Sequence, residues 1–421
     1  MINELYKPRI IDNELERKLK YSKAVCVQGP KASGKTWASL KAASSKIMLG
    51  DGSDNFANRR LAAMDNSFAL KGDKPHLIDE WQEIPSLWDA VRFEVDKTSD
   101  NGQYILTGSS TPARKGIMHS GTGRISLLNM RTMSLYESGE STGEISLSGL
   151  FKENIKEPIA ADNPGLETLA YYIIRGGWPS SIDLPKEEAS LFATGYVNGL
   201  LQEDIPRVAA SIDITKMHQF MRSLARNEST TASKRVIMKD MNGEISDATI
   251  NSYTDILTRL FLLSPQLPFS PSVRSSLRVK QMEKRHFTDP SIAAALMGLR
   301  VESLMKDLTT FGFLFESLVE RDLAIYASAT GSGLMHYQDY KDNEIDAIIE
   351  APDGSWGAIE IKLGAGEIDA GAKSLLRVNK TIKENSNGKG ASFLAVICGL
   401  TSYGYKREDG VNVIPITALG V

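Results

Sequence analysis

Eight consecutive residues, Gly29-Pro30-Lys31-Ala32-Ser33-Gly34-Lys35-Thr36, fit the pattern G-x-x-x-x-G-K-[ST]. Glycines let the backbone curl so that its N–H groups face phosphate oxygens, and a following helix turns its positive end to the same anion. Lys35 would reach the β- and γ-phosphates of ATP, and the Thr36 hydroxyl would ligate Mg2+. The apolar run before the string and the helix-forming stretch after it are the context this chemistry needs. His76-Leu77-Ile78-Asp79-Glu80 supplies two carboxylates: Asp79 to hold Mg2+ through water and Glu80 to polarise the attacking water. His76 reads as a strand-entry residue. A third apolar run, Tyr104-Ile105-Leu106-Thr107-Gly108-Ser109-Ser110, ends in small hydroxyls, so Thr107 and Ser109 are candidates to touch the γ-phosphate or the water. Arg124, behind Gly121 and Gly123, could neutralise transition-state charge, within its own subunit or in a neighbouring copy of a homo-oligomer.

A second constellation lies near the C-terminus. Residues 344–350 alternate as a strand does, Pro352-Asp353-Gly354 is a turn, and 358–362 is the return strand. A hairpin centred on Gly354 sets Asp346 opposite Lys362 and Ile348 opposite Glu360. Opposed residues share a sheet face, as do alternate ones. Asp346, Glu360 and Lys362 then converge on one side, with Ile345, Ile359 and Ile361 on the other. Two carboxylates beside a lysine can hold Mg2+ and orient a water at a phosphodiester. The arrangement resembles the PD-(D/E)xK nuclease superfamily, with Asp346 at the first acidic position and Glu360-x-Lys362 as the second half. That resemblance implies a further carboxylate from the preceding helix, where Glu316 shares a face with Val319 and Leu323. The plain alternative is a cross-strand Asp–Lys pair in a structural sheet.

Elements must hold these residues. Strands are expected at 24–28, 46–49, 76–79, 103–107 and 124–128, with helices at 35–43 and 86–97 between them. Such alternation argues for a parallel α/β sheet over residues 1–150. Residues 151–213 read as a helical connector, punctuated by Gly176-Gly177, Pro179 and Pro185. Three short helices follow at 215–226, 234–241 and 246–260. The last is opened by Ser246-Asp247 and carries Ile250, Tyr253, Ile256, Leu257 and Leu260 at helical spacing. A helix-turn-helix with a strand wing fits residues 214–300, the wing bearing Arg274, Arg278, Lys280, Lys284 and Arg285. An excess of six positive charges over 215–300 makes this region the candidate for DNA contact, although such modules also bind proteins. Residues 301–421 read as a long helix, a hairpin, another helix and further strands.

Composition sets the outer bounds. The 421 residues are 42% hydrophobic and 24% charged, with a net charge of −3, which excludes a disordered, collagen-like or disulfide-rich chain. Cys26 and Cys398 sit in apolar runs and read as buried thiols. The opening MINELYKPR is charged, and no apolar run approaches the roughly 20 residues needed to cross a bilayer. A cytoplasmic protein with no membrane partner is the expectation.

The segments YKPRI, GPKASGKT, HLIDEWQEIP, YILTGSS and HSGTGRISLLNMRTMSLYES resemble the AAA-like prokaryotic P-loop ATPases. IIRGGWPSSI, RHFTDPSIAAAL and FGFLFESLVERDL resemble the uncharacterised C-terminal region usually fused to them. The resemblance covers most of the chain. It implies an α/β protein with a P-loop NTPase core on an additional-strand parallel sheet, a winged-helix-like middle and a restriction-endonuclease-like C-terminal domain. Lys31 departs from the arginine common in relatives, and Trp81 from an aliphatic residue. Neither departure touches the nucleotide chemistry.

Overall fold

Four apolar residues in a row, as in Ala24–Val27, suit a strand buried on both faces, because a parallel sheet carries helices on each side. The computed structural model describes residues 6–111, 118–152, 155–243, 245–339, 343–386 and 390–421, so the first five residues of the charged N-terminal stretch lie outside it. They fall into two compact units. The first comprises Met1–Thr132 with Glu203–Ile212 and Asp255–Leu262; the second comprises Met133–Gln202, Asp213–Thr254 and Leu263–Val421.

In the first unit the chain runs α1 (Ile10–Tyr21), β1 (Ala24–Gln28), α2 (Lys35–Ala42), β2 (Ser45–Met48), β3 (His76–Asp79), α3 (Ser86–Val95), β4 (Tyr104–Gly108) and β5 (Ile125–Asn129). All five expected strands and both helices form within one or two residues of their expected ends. The sheet order is β2-β3-β4-β1-β5 and every pairing is parallel. β4 is interposed between the P-loop strand β1 and the Asp79 strand β3, as an additional-strand sheet requires. Successive residues of β1 point to opposite faces. Ala24 and Cys26 join Ile78, Leu106, Trp81 and Trp88 on one side; Val25 and Val27 join Leu77, Ile105, Leu15 and Ala38 on the other. Cys26 and Cys398 are buried free thiols, as expected.

The second unit continues with β6 (Ile159–Ala160), α4 (Gly165–Arg175), α5 (Lys186–Gly199), α6 (Ile214–Arg226) and α7 (Lys234–Asp240). Helix α8 (Asp247–Arg259) starts in this unit and its last turn belongs to the first. Then come β7 (Leu267–Pro268), α9 (Pro290–Leu296), α10 (Leu308–Thr330), β8 (Gly333–Gln338), β9 (Glu344–Glu350), β10 (Trp356–Gly364), α11 (Ile368–Ser386), β11 (Phe393–Leu400), β12 (Tyr403–Lys406) and β13 (Asn412–Pro415). These strands form one mixed sheet of order β6-β12-β13-β11-β10-β9-β8-β7. β8, β9 and β10 are antiparallel neighbours, and α11 crosses over to β11, which runs parallel to β10. After α8, single antiparallel bridges join Leu263 to Phe287 and Gln266 to Lys284. Among the described residues no helix is long and apolar enough to cross a membrane.

The hairpin register differs from the expected one. Ala347 pairs with Ile359, Ile348 with Ala358 and Glu350 with Trp356, so the centre is Asp353 and not Gly354. The turn explains the shift. Ala351 N–H donates to Ser355 O at 2.8 Å, which leaves a three-residue loop with Gly354 left-handed (φ +79°) at its third place, not its middle. Each partner moves by two residues, an even slip, so Asp346, Glu360 and Lys362 keep a common face. Ile345 does not oppose Ile348 as expected. A register shift in the β9–β8 pairing between these two residues puts both in one apolar cluster with Ala358.

Candidate functional site

Strand β1 delivers the chain at Gly29, whose N–H donates to Gly108 O at 3.4 Å. A Cβ there would sit 2.1 Å from the carbonyl oxygen of Met130, so only glycine lets the two backbones approach. Left-handed Ala32 (φ +63°) and Gly34 (φ +98°) curl the loop into the start of α2. Arg9 holds the loop from behind: its guanidinium donates to Ser33 O at 2.8 Å, Arg131 O at 2.9 Å and Thr132 O at 3.0 Å. Lys35 is 5% exposed and its ammonium donates to Pro30 O at 2.8 Å. Burial pushes its pKa down to about 8, a shift resisted by Glu80 and Asp79. A buried ammonium folded onto its own loop is a cation waiting for a stronger anion than a carbonyl dipole.

Asp79 closes β3 and gathers two hydroxyls. Thr36 Oγ1 donates to its Oδ1 at 2.8 Å and Thr107 Oγ1 to the same oxygen at 2.7 Å. Thr107 also accepts the Glu80 N–H at 2.9 Å. Its hydroxyl is therefore committed to placing the two acids, which differs from the γ-phosphate contact expected of it. Glu80 is left-handed (φ +58°), and its Oε2 accepts from Ser109 Oγ at 3.1 Å and from the Gln82 amide. Thus Gly29, Pro30, Ala32, Ser33, Gly34, Lys35, Thr36, Asp79, Glu80, Thr107 and Ser109 are brought to the C-terminal ends of β1, β3 and β4. Lys31 turns outward and pairs with Asp204 at 3.1 Å. Arg124 is not at this site. It immediately precedes β5, whose first residue pairs with Ala24, so it is level with Lys23 and about 20 Å of strand separates it from Gly29. There it binds Asp96 at 3.0 Å. His76 is buried between Ser45 Oγ and Ala69 O, a structural strand-entry residue.

The carboxylate face of the second unit is built from β9 and β10. Asp346 Oδ2 accepts the Ile361 N–H at 2.7 Å and lies 3.5 Å from Lys362 Nζ. Lys362 also pairs with Glu360 at 2.6 Å. Burial, then the nearby Asp346, pushes Glu360 up to about 8. Burial would lower Lys362, but Asp346 and Glu360 raise it further than burial lowers it. Glu316, from α10, pairs instead with Lys284, as do Glu320 at 3.5 Å and Glu344 at 3.9 Å. Asp346, Glu360 and Glu316 were expected to form a metal cluster, yet among the described residues no three His, Cys, Asp or Glu side chains are arranged to hold a metal ion. Two lysine ammonium groups stand among these carboxylates in its place. The expected wing is altered by the same contacts: Lys284 is 1% exposed, Arg278 forms a two-pronged pair with Glu350, and Arg285 donates to Ala232 O.

Sequence reasoning passed over Arg9, Gln82, Asp204 and Arg321, and placed Lys284 on the wing. Arg321, in α10, pairs with Asp322 at 2.8 Å and Asp289 at 3.3 Å, while Asp289 accepts Gly177 N–H at 2.9 Å and Asp322 accepts Leu135 N–H at 3.0 Å. Three of the recognisable C-terminal segments thereby meet in one buried ionic network. Gln82, two places after Glu80, and Arg321, beside Asp322, carried a local signal; the others act through partners far away in the chain.

Residues 21–139 match the AAA domain family, 166–303 a domain of unknown function (DUF8612) and 311–419 another (DUF4143). The chain is 24% identical over 352 residues to the uncharacterised proteins Rv2008c of Mycobacterium tuberculosis and Mb2031c of Mycobacterium bovis, spanning 83% of this chain and 72% of each. Among solved structures it is similar to the Walker-type ATPase PABY2304 of Pyrococcus abyssi, at 13% identity and a TM-score of 0.42, over 68% of this chain and 94% of that one. The phosphate loop, the interposed strand and the AAA match over the same residues lead to one statement: the N-terminal part of this chain is a P-loop ATPase domain.

Proposed function

We propose that the protein is a Mg2+-dependent ATP hydrolase that works as a switch, with a nuclease-like C-terminal module used for binding and not for cutting. The observation that carries the first half is the hydrogen-bonded line Thr36–Asp79–Thr107–Glu80, which ties the phosphate loop to both acids. Lys35 and the loop amides would take the β- and γ-phosphates, and Thr36 and Asp79 would hold Mg2+. When bound, Mg2+ would neutralise charge on the phosphate oxygens. Glu80 would accept hydrogen bonding from the attacking water once it leaves Gln82 and Ser109. Lys35→Ala is expected to abolish turnover, and Glu80→Gln to keep ATP binding while losing hydrolysis. Full hydrolysis by Glu80→Gln would remove that residue from the mechanism.

The division into a helical connector (151–213), a winged-helix-like part (214–300) and a nuclease-like part (301–421) belongs to the same proposal. Helices α6 to α8 with the bridges after them support the middle assignment, and the hairpin carrying Asp346 and Glu360-x-Lys362 supports the last. A binding role is favoured because Lys362 and Lys284 already satisfy the carboxylates and because Lys284 and Arg278 of the wing are engaged internally. A protein partner fits this better than DNA. Purified protein with Mg2+ or Mn2+ is expected to leave DNA and RNA intact, and ATP turnover to be indifferent to added nucleic acid. Cleavage that is lost in both Asp346→Ala and Lys362→Ala would instead make the module a nuclease.

A further inference from the structure

With Arg124 bound to Asp96 at the far end of the sheet, the nucleotide site does not receive that arginine from its own chain. The chain returns to this site much later. Residues Glu203–Ile212 lie in the second half of the sequence's helical connector, yet they fold with the ATPase unit. They begin inside a π-helical turn, Leu200–Asp204, a form frequent at functional sites. Asp204 reaches the phosphate loop itself, pairing with Lys31 at 3.1 Å. Three residues on, one helical turn away and so on the same face, Arg207 pairs with Glu83 at 3.4 Å. Glu83 lies three residues after Glu80, and Gln82 between them touches the Glu80 carboxylate. Asp204 and Arg207 thus tie this segment to the phosphate loop on one side and to the turn that follows Glu80 on the other.

We infer that Arg207 is the arginine of this ATPase, donated by the same chain, moving from Glu83 to the γ-phosphate when ATP is bound. This rests on the ATPase reading. Its side chain is 72% exposed, so it is free to swing, and Glu83 keeps a second cation, Arg59 at 2.7 Å, when Arg207 leaves. Arg259 is a poorer choice because it is held by Thr111 O at 3.2 Å and by Asp255. Exposed pairs such as Arg207–Glu83 add little stability. Their cost of breaking is correspondingly small, which suits a residue that must change partners. A planar guanidinium can grip two phosphate oxygens at once, whereas an ammonium cannot.

The test uses the full chain as wild type, Arg207→Ala, Arg207→Lys, Arg59→Ala and Arg124→Ala. It measures ATP turnover and the affinities for ADP and a non-hydrolysable ATP analogue. Arg207→Ala should lower kcat by about a hundredfold or more, leave ADP affinity within about twofold, and erase most of the preference for the triphosphate. Arg207→Lys keeps a cation beside Glu83 and should not rescue kcat. Arg124→Ala should match wild type. Turnover and triphosphate preference unchanged in Arg207→Ala, full rescue by lysine, or the same loss appearing in Arg59→Ala each overturn the inference. If wild type binds ATP but hydrolyses none, the ATPase reading fails while triphosphate preference still decides the role of Arg207.

Discussion

Lys35 sets the terms at the scale of single residues. Its ammonium is buried against a carbonyl dipole, and burial brings its pKa to about 8 from an ordinary 10.5. Only the charged form attracts phosphate, so ATP affinity should fall as pH rises through 8, by about fivefold between pH 8 and 9. Stability should move the other way. Between pH 8 and 10.5 the unfolded chain keeps the proton that the folded chain has released, so raising pH favours folding, by an amount of the order of 3 kcal/mol across the window. Titration calorimetry and urea melts on the same samples check both signs. Lys35→Met should flatten the stability rise, and a stability curve equally steep in that variant would mean another group is titrating. The lysine's low pKa was invisible in the string G-x-x-x-x-G-K-[ST], because it comes from the walls around the loop. Arg124 shows the converse: its Gly-rich setting looked like a catalytic loop, but the strand it opens points it away from the phosphates.

Lys284 shows what is decided at the scale of elements. It belongs to the antiparallel bridge after α8, and it is held by Glu316 and Glu320 of α10 and Glu344 of β9. Burial raises Glu316, against the opposing pull of Lys284, and raises Glu320 to about 7 despite the same lysine. Lys284→Met should therefore cost about 3–5 kcal/mol at pH 7.5, the usual penalty for orphaning a buried charge. With the lysine gone, the carboxylates take up protons more readily in the folded protein than in the unfolded one. Stability should then recover as pH falls toward 5.5. Urea melts at the two pH values measure this, and an unchanged midpoint at pH 7.5 would show that the carboxylates are already neutral. The elements themselves were largely legible. Apolar runs of two to four residues marked β1, β3 and β4, and even the sheet face of Asp346, Glu360 and Lys362 followed from alternation alone. The turn that sets the register depends on where Gly354 sits in a three-residue loop, and the bulge between Ile345 and Ile348 leaves no mark in the residue pattern. Charge partners were the least legible. A lysine on an expected surface wing carries the same letter whether it faces solvent or three glutamates.

At the scale of the whole molecule, the ATPase unit is not the continuous stretch that its family match suggests. The match spans 21–139, but the unit also uses Glu203–Ile212 and Asp255–Leu262. Each addition does identifiable work. Arg9, just ahead of α1, grips Ser33 O behind the phosphate loop, Asp204 pairs with Lys31 on its front, and Arg259 O accepts the Thr111 N–H at 3.0 Å beyond β4. A fragment comprising 21–139 loses all three, whereas 1–262 keeps them. The two contacts to backbone oxygens at about 1 kcal/mol each, the exposed Lys31–Asp204 pair at less, and the apolar surface these segments cover remove a sizeable share of the roughly 5–15 kcal/mol that holds a domain together. The fragment 21–139 should therefore melt at least 10 °C below 1–262 and bind ATP at least tenfold more weakly. A fragment 1–150 should fall between them, because it regains Arg9 but neither later segment. Thermal melts and ATP titrations on the three fragments give the order. If 21–139 equals 1–262 in both, the returning segments are passengers, and neither the fold of the nucleotide site nor its affinity for ATP depends on them.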